Sequence, residues 1–326
     1  MTRHVLVIGG GQNARHGDSL ANAAAIAGAL RAGGYTVGTV TIGRDGIWAN
    51  AHGPLGNSVA TSLAAALPFL EQADVVFPAV HGSHGADGTL AALCALLRKP
   101  VAGSGPRAGA IGMDRWTTKL VAEAIGIRTV PGRLVRAADL GSVAFEEDVI
   151  VKPVAAGAGL GGTLVRDAVQ LNDALRTAAR HDDRILVEHV VHGREIDVAV
   201  LREADGSCWT SSPLEAHPER LFDTARKPRE TTRVSVPARL DSIDHVRLNH
   251  AALALFDTLG CAGVARVNFV LTDRGLVLNE IDPVPGMTED ARVPVMFAAA
   301  GVSLEELVVR MVTAASTAEP APAVNG

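Results

Sequence analysis

Cysteine is scarce in this chain. Among 326 residues only Cys94, Cys208 and Cys261 occur. They are odd in number, widely spaced and outside metal-ligand spacing, which points to reduced, structural thiols and a cytoplasmic location. Long apolar runs are missing as well. The first one, Val5 to Gly9, is too short for a signal-peptide core, and no run approaches a membrane span, so no membrane partner is expected. Positive charge is not in excess either. A formal net charge of -5 argues against nucleic acid as a partner, because phosphate backbones demand concentrated basic charge. A small anionic ligand stays open, since a local basic pocket does not need a basic chain. What remains, 48% hydrophobic and 20% charged residues, describes a folded protein long enough for two or three domains.

The most informative stretch runs from Gly263 to Met287. Two apolar runs, Val264 to Leu271 and Leu276 to Ile281, flank the turn Thr272-Asp273-Arg274-Gly275, which predicts an antiparallel hairpin. Side chains alternate across a strand, so Arg266 and Asn268 share one face, and Glu280 and Asp282 share one face of the partner. Two carboxylates and an amide oxygen gathered there form a hard-oxygen nest suited to Mg²⁺. The alternative is an ordinary solvated face. Pro283, Pro285 and Gly286 cut the strand off directly after Asp282 and favour the site.

Elsewhere the pattern is strand, polar loop, helix. Val5 to Ile8 leads through Gly9-Gly10-Gly11 to a helix over Leu20–Ala32, with Ser19 the better N-cap. Gly9, Gly11 and Ala14 fit the G-x-G-x-x-A pattern and keep a nicotinamide dehydrogenase in view, although Val37 to Ile42 ends without the acid that fold requires. Asp74 to Val80 delivers His81-Gly-Ser-His-Gly-Ala-Asp-Gly88 onto a loop at a strand end, a usual ligand position, with a plain buried histidine as the alternative. Asp148 to Pro153 places Lys152 beside the glycines of 155–162, a pairing suited to phosphate; the spacing is not that of a P-loop. Glu188 and Glu195 lie near the ends of two strands, where they could meet an adenine amine and ribose hydroxyls or simply solvent. The polar, basic segment between Leu214 and Arg239 reads as a lid.

Taken together these pieces resemble the D-alanine-D-alanine ligase branch of the ATP-grasp superfamily, from about Val5 to Val312. The resemblance rests on His81-Gly-x-x-Gly-x-Asp-Gly-Thr89, Gly103-Ser-Gly105, Met113-Asp114, Val149-Ile-Val-Lys-Pro153, Val187-Glu188, Arg266-Val-Asn268 and Glu280-Ile-Asp-Pro-Val-Pro-Gly-Met-Thr288. It implies an α/β (α+β) fold of three domains: an N-terminal substrate domain over 1–110, a central subdomain over 111–190 and a catalytic domain over 191–318, with a disordered tail over 319–326. ATP would lie between the second and third, bound by Arg115, Lys152, Glu188, Glu195 and a loop carrying Gly157, Gly159 and Gly161. Asn268, Glu280 and Asp282 would hold two Mg²⁺. Arg266, Lys227 in the lid and the Gly286 backbone N–H would act on the transferred phosphate and the tetrahedral intermediate. Arg15, Ser19, His81 and Arg292 would face two amino-acid substrates, and the resemblance leaves room for a homodimer.

Several positions depart from the family. Arg15 stands where the family has a glutamate for the first D-alanine's ammonium, Ala291 where it has a serine for the second substrate's carboxylate, and Ala158 replaces a loop serine. The lid tyrosine is absent, since Tyr35 is the chain's single tyrosine. Asp and Asn are exchanged between positions 268 and 282. The expectation is an ATP-dependent carboxylate-amine ligase with an acidic donor such as glutamate, whose free carboxylate would pair with Arg15, and with Arg292 taking the acceptor carboxylate. A housekeeping D-alanine-D-alanine ligase is the alternative, and a non-catalytic nucleotide-binding regulator the next.

Overall fold

Val5 to Ile8 are almost wholly shielded, as a continuous apolar run must be when both faces of a parallel sheet are covered. In the computed structural model, which describes residues 3–155, 162–217 and 233–317, this run is the core of β1 (His4–Gly10). It is followed by α1 (His16–Ala32), β2 (Thr36–Ile42), β3 (Trp48–Asn50), β4 (Gly53–Pro54), α2 (Val59–Gln72), β5 (Val75–Pro78) and α3 (Thr89–Leu96). The sheet order is β4-β3-β2-β1-β5, with β1 parallel to both neighbours. Gly10 holds φ +84°, and a Cβ there would lie 2.2 Å from the Ile42 carbonyl oxygen, so only glycine fits this exit from β1. Helix α1 begins earlier than the N-cap rule predicts. The His16 N–H bonds the Asn13 carbonyl at 3.2 Å, and Ser19 lies inside the first turns.

Next come α4 (Pro106–Met113), α5 (Arg115–Ala124), β6 (Gly132–Arg136), β7 (Val149–Pro153), β8 (Thr163–Val165), α6 (Ala168–Ala178) and β9 (Arg184–His189). The four strands pair antiparallel in the order β6-β9-β7-β8. Asp114 separates the two helices: its side chain caps α5 by accepting the Thr117 N–H at 2.7 Å. The same carboxylate takes the Arg184 guanidinium in a fork at 2.6 and 3.1 Å, tying α5 to β9.

The last unit comprises β10 (Arg194–Arg202), β11 (Cys208–Thr210), β12 (Leu214–His217), β13 (Arg233–Ser235), α7 (Ser242–Leu259), β14 (Val264–Thr272), β15 (Gly275–Asp282), α8 (Arg292–Ala298) and α9 (Leu304–Thr317). Its sheet runs β13-β12-β10-β14-β15, with β11 on the edge of β10. One face is apolar and packs on α7 together with Ala108 of α4 and Ala122 of α5. Helices α8 and α9 turn back to the first sheet, where Phe297 and Met311 share a core with Val5, Ile26 and Leu30. Among the described residues no helix is long and apolar enough to cross a membrane. Cys94 and Cys261 are buried and free, and burial pushes their thiols up to about 12 and about 11.

Candidate active site

The predicted hairpin forms as β14 and β15, and its register places Arg266 opposite Asp282 and Asn268 opposite Glu280. The ladder slips between Asn268 and Phe269, so that Phe269 faces Leu278 and Asn279 becomes the extra residue of a bulge. Its effect is to bring Asn279 to the polar face, where its Nδ2 donates to Asn268 Oδ1 at 2.8 Å and its Oδ1 accepts from Lys152 Nζ at 3.2 Å. Strand β10 completes the face, with Asp197 directly opposite Asn268.

Arg266 is the centre of this face. Its Nη1 donates to Asp197 Oδ1 at 2.7 Å and its Nη2 to Glu280 Oε1 at 3.0 Å, with Asp282 Oδ2 at 4.0 Å. Arg115 reaches Glu280 from α5 at 3.5 Å. Burial opposes ionisation of Glu280, but Arg266, Arg115 and Lys152 outweigh it and hold the carboxyl at about 2. Glu280 and Asp282 present hard carboxylate oxygens on the same strand face and suit Mg²⁺. Asn268, the expected third ligand, is held in this network: its Nδ2 donates to Glu195 and Asp197 at 3.2 and 2.9 Å, and its oxygen accepts from Asn279.

The central sheet contributes a second charged cluster. Glu188 is only 1% exposed. It is held by Lys152 at 2.9 Å and by Lys119 of α5 in a short ion pair. Burial raises its pKa, yet the two lysines prevail and keep it ionised, while burial lowers the Lys119 pKa. The sequence expectation placed Glu188 near the adenosine; in the structure each of its oxygens is paired with a lysine of the same cleft wall. Glu195, by contrast, is about a third exposed and shares Arg292 with Asp197.

The first unit supplies the opposite wall. Arg15, His81 and Gly82 line a cleft together with Arg115, Glu280, Asp282 and Val284. Ser19 does not reach this cleft. It is fully buried, its hydroxyl donating to the Arg15 carbonyl and accepting the His81 N–H, both at 3.0 Å, so it fixes the His81 loop. His81 Nδ1 lies 3.0 Å from the Val284 carbonyl, which can only accept, so Nδ1 carries the proton. Nε2 is left as a buried acceptor without a hydrogen-bond partner among the described residues. Burial, with Arg15 second, lowers the His81 pKa and keeps the ring neutral. Arg15, expected to meet an acidic substrate, has a carboxylate partner in the first turn of α1: its Nε pairs with Asp18 Oδ2 at 3.2 Å. Gly286 sits in the loop that Val284 and Met287 anchor to the first unit through His81 and Asn22.

Thus Arg15, His81, Arg115, Lys152, Glu195, Arg266, Asn268, Glu280, Asp282 and Arg292 converge. Lys227, Gly157, Gly159, Gly161 and the predicted tail lie outside the described residues. Three participants escaped sequence reading: Asp197, Asn279 and Lys119. For Asp197 a signal existed, since an acid two residues after Glu195 in a strand must share its face.

Residues 4–104 match the family described as D-ala D-ala ligase N-terminus and residues 142–313 the one described as D-ala D-ala ligase C-terminus. A D-alanine–D-alanine ligase of Streptomyces coelicolor is 33% identical, the match covering 95% of this chain and 92% of the relative. One from Anaeromyxobacter sp. is 34% identical over 96% and 97% of the two chains. Among solved structures, the D-alanine-D-alanine ligase from Coxiella burnetii superposes with a TM-score of 0.78 at 26% identity, covering 97% of this chain and 94% of that one. The VanG D-Ala:D-Ser ligase from Enterococcus faecalis gives 0.81 at 24% identity over 97% and 100%, a likeness of fold alone. The three-domain ATP-grasp architecture expected from the motifs is the one observed, and the dehydrogenase alternative falls away. With both halves matched and relatives aligned along nearly its whole length, the chain belongs to the D-alanine–D-alanine ligase family.

Proposed function

We propose that this protein is an ATP-dependent ligase that joins two molecules of D-alanine, releasing ADP and phosphate. The observation that carries the reading is the convergence on one cleft of Arg266, Glu280 and Asp282 from the hairpin with Lys152 and Arg115 from the neighbouring unit. Nothing in a simple binding site demands a guanidinium held between carboxylates beside a second, largely buried cation, Lys152. Such fixed positive charge acts where negative charge develops in a transition state. The acidic donor expected from Arg15 loses its motive, because Asp18 already balances that charge, and the curated relatives are named for D-alanine.

In this reading Lys152 and Arg115 hold the phosphates of ATP, and Glu195 faces the nucleoside. Glu280 and Asp282 would hold Mg²⁺, which when bound neutralises the triphosphate against the incoming carboxylate. Arg266, with the Gly286 N–H, stabilises the acyl phosphate and then the tetrahedral centre formed as the second amine attacks. His81 and Arg15 border the donor, Arg292 the acceptor's carboxylate. The buried, free thiols of Cys94 and Cys261 and the need for ATP agree with a cytoplasmic setting.

The test is phosphate release from ATP and Mg²⁺ across a panel of amino-acid pairs, with mass spectrometry of the products. D-alanyl-D-alanine as the main product is expected. Turnover confined to acidic donors would restore the Arg15 argument, and no turnover with any pair would favour a nucleotide-binding regulator.

A further inference from the structure

Asp197 lies in the middle of β10 with none of its surface exposed. Its Oδ1 accepts from Arg266 Nη1 at 2.7 Å and Asn268 Nδ2 at 2.9 Å, and its Oδ2 from Arg292 Nη1 at 2.6 Å. A carboxylate at that depth is tolerated only when it is paired and hydrogen-bonded on both oxygens. Here one anion holds two guanidiniums that repel each other, so it sets the position of each with respect to the other.

The two arginines differ in what else restrains them. Arg266 is also held by Glu280 at 3.0 Å, whereas among the described residues Arg292 has, beyond Asp197, only Glu195, at 3.2 Å, and is about a third exposed. Both contacts of Arg292 use Nη1. A guanidinium has five N–H donors, and the fork made by Nε and Nη2 matches a carboxylate. Among the described residues that fork makes no hydrogen bond or ion pair. Arg292 opens α8 directly after Ala291, which has no polar group for the role the family gives a serine there.

We propose that Asp197 is a positioning residue that clamps Arg292 from behind, so that its Nε/Nη2 fork receives the carboxylate of the acceptor amino acid while Arg266 is kept on the reacting centre. It also makes the clamp a specificity device: acceptors must carry a free carboxylate, and amides or simple amines are rejected. The proposal rests on the ligase reading above.

The experiment is a competition between D-alanine and D-alaninamide as acceptors, with both products quantified by mass spectrometry; a product ratio is insensitive to the fraction of enzyme that folds. Wild type is expected to prefer D-alanine by roughly 100-fold or more, the range of a charge-assisted pair in a partly buried site. D197N and R292A are each expected to narrow that preference by roughly 10-fold or more. They should raise the acceptor KM and leave the ATP KM within about two-fold, and in an R292A background D197N should narrow the acceptor preference no further. R292K, which keeps the charge without the fork, should recover little. If D197N does not fold, R292A and R292K carry the test from the cleft edge. An active wild type whose acceptor ratio is unchanged in R292A, or whose D197N variant raises the ATP and acceptor KM alike, overturns the clamp alone. A wild type that makes no dipeptide removes the ligase reading and the clamp with it.

Discussion

Two buried carboxylates, Glu188 in the central sheet and Asp197 in the C-terminal sheet, solve the same electrostatic problem with different cations. Glu188 is held by Lys119 and Lys152, Asp197 by Arg266 and Arg292. In both, burial works against the negative charge and the paired cations restore it. Lysine is a point charge that can give up its proton when the surroundings turn unfavourable, and the lowered Lys119 pKa shows that tendency. Arginine stays charged and keeps donors in reserve after its first bond. A lysine-held carboxylate therefore makes a support for the phosphate side of the cleft. An arginine-held carboxylate makes a support with guanidinium edges left over for chemistry.

The sharpest way to break this comparison is to neutralise each anion in turn. E188Q should cost about 3–5 kcal/mol of unfolding free energy, because it leaves two largely buried lysines without their carboxylate, and D197N less, because Arg266 keeps Glu280 and the partly exposed Arg292 keeps Glu195. Urea denaturation across pH separates them. Lys119 is already held below its ordinary 10.5 by burial, with Glu188 opposing that shift; without Glu188 the folded-state value should fall further, so the unfolded state binds more protons in that window and stability rises more steeply with pH. The E188Q deficit should shrink on the alkaline side. In D197N both cations are guanidiniums and the deficit should stay constant; a D197N deficit that also shrinks would show that the two sites do not differ in this way.

Second in size is R266K, which keeps the charge and discards the fork between Asp197 and Glu280. A fall in kcat of roughly 10²–10³ with little change in the ATP KM is expected from losing a preorganised donor at the reacting centre. An R266K enzyme with normal kcat would remove Arg266 from the chemistry. The smallest effect concerns acid. Glu280 titrates at about 2 when folded against 4.5 ordinarily, so it contributes roughly 3 kcal/mol that is fully present above pH 4.5 and lost as pH falls toward 2. E280Q should flatten that part of the acid limb; an unchanged limb would mean that other carboxylates, such as Asp114 against Arg184, dominate it.

Much of the site could be read from local pattern. The turn at Thr272–Gly275 and the alternation on either side placed Arg266 with Asn268 and Glu280 with Asp282, and the register pairs them as expected. Misses occurred where a residue's role depends on a neighbour distant in sequence. Ser19 looks like an N-cap until the helix is seen to begin at His16, and its hydroxyl is needed by His81 instead. Asn279 should face away from Glu280 by strict alternation. The bulge reverses that.

What the chain alone determined is the set of elements and the chemistry they carry: apolar periodicity, turn residues and strand alternation are short-range properties, and they suffice to name the hairpin, the lysine strand and the family. What only the tertiary structure decided is which charges neutralise which. Arg15 pairs with Asp18, Glu188 serves two lysines, Asn268 turns its amide to Asp197, and Asp197 joins arginines from β14 and α8. Ion pairing depends on distance and burial in three dimensions, and residues that are 69 and 95 positions apart in the chain meet at 2.7 and 2.6 Å only once the sheets have packed.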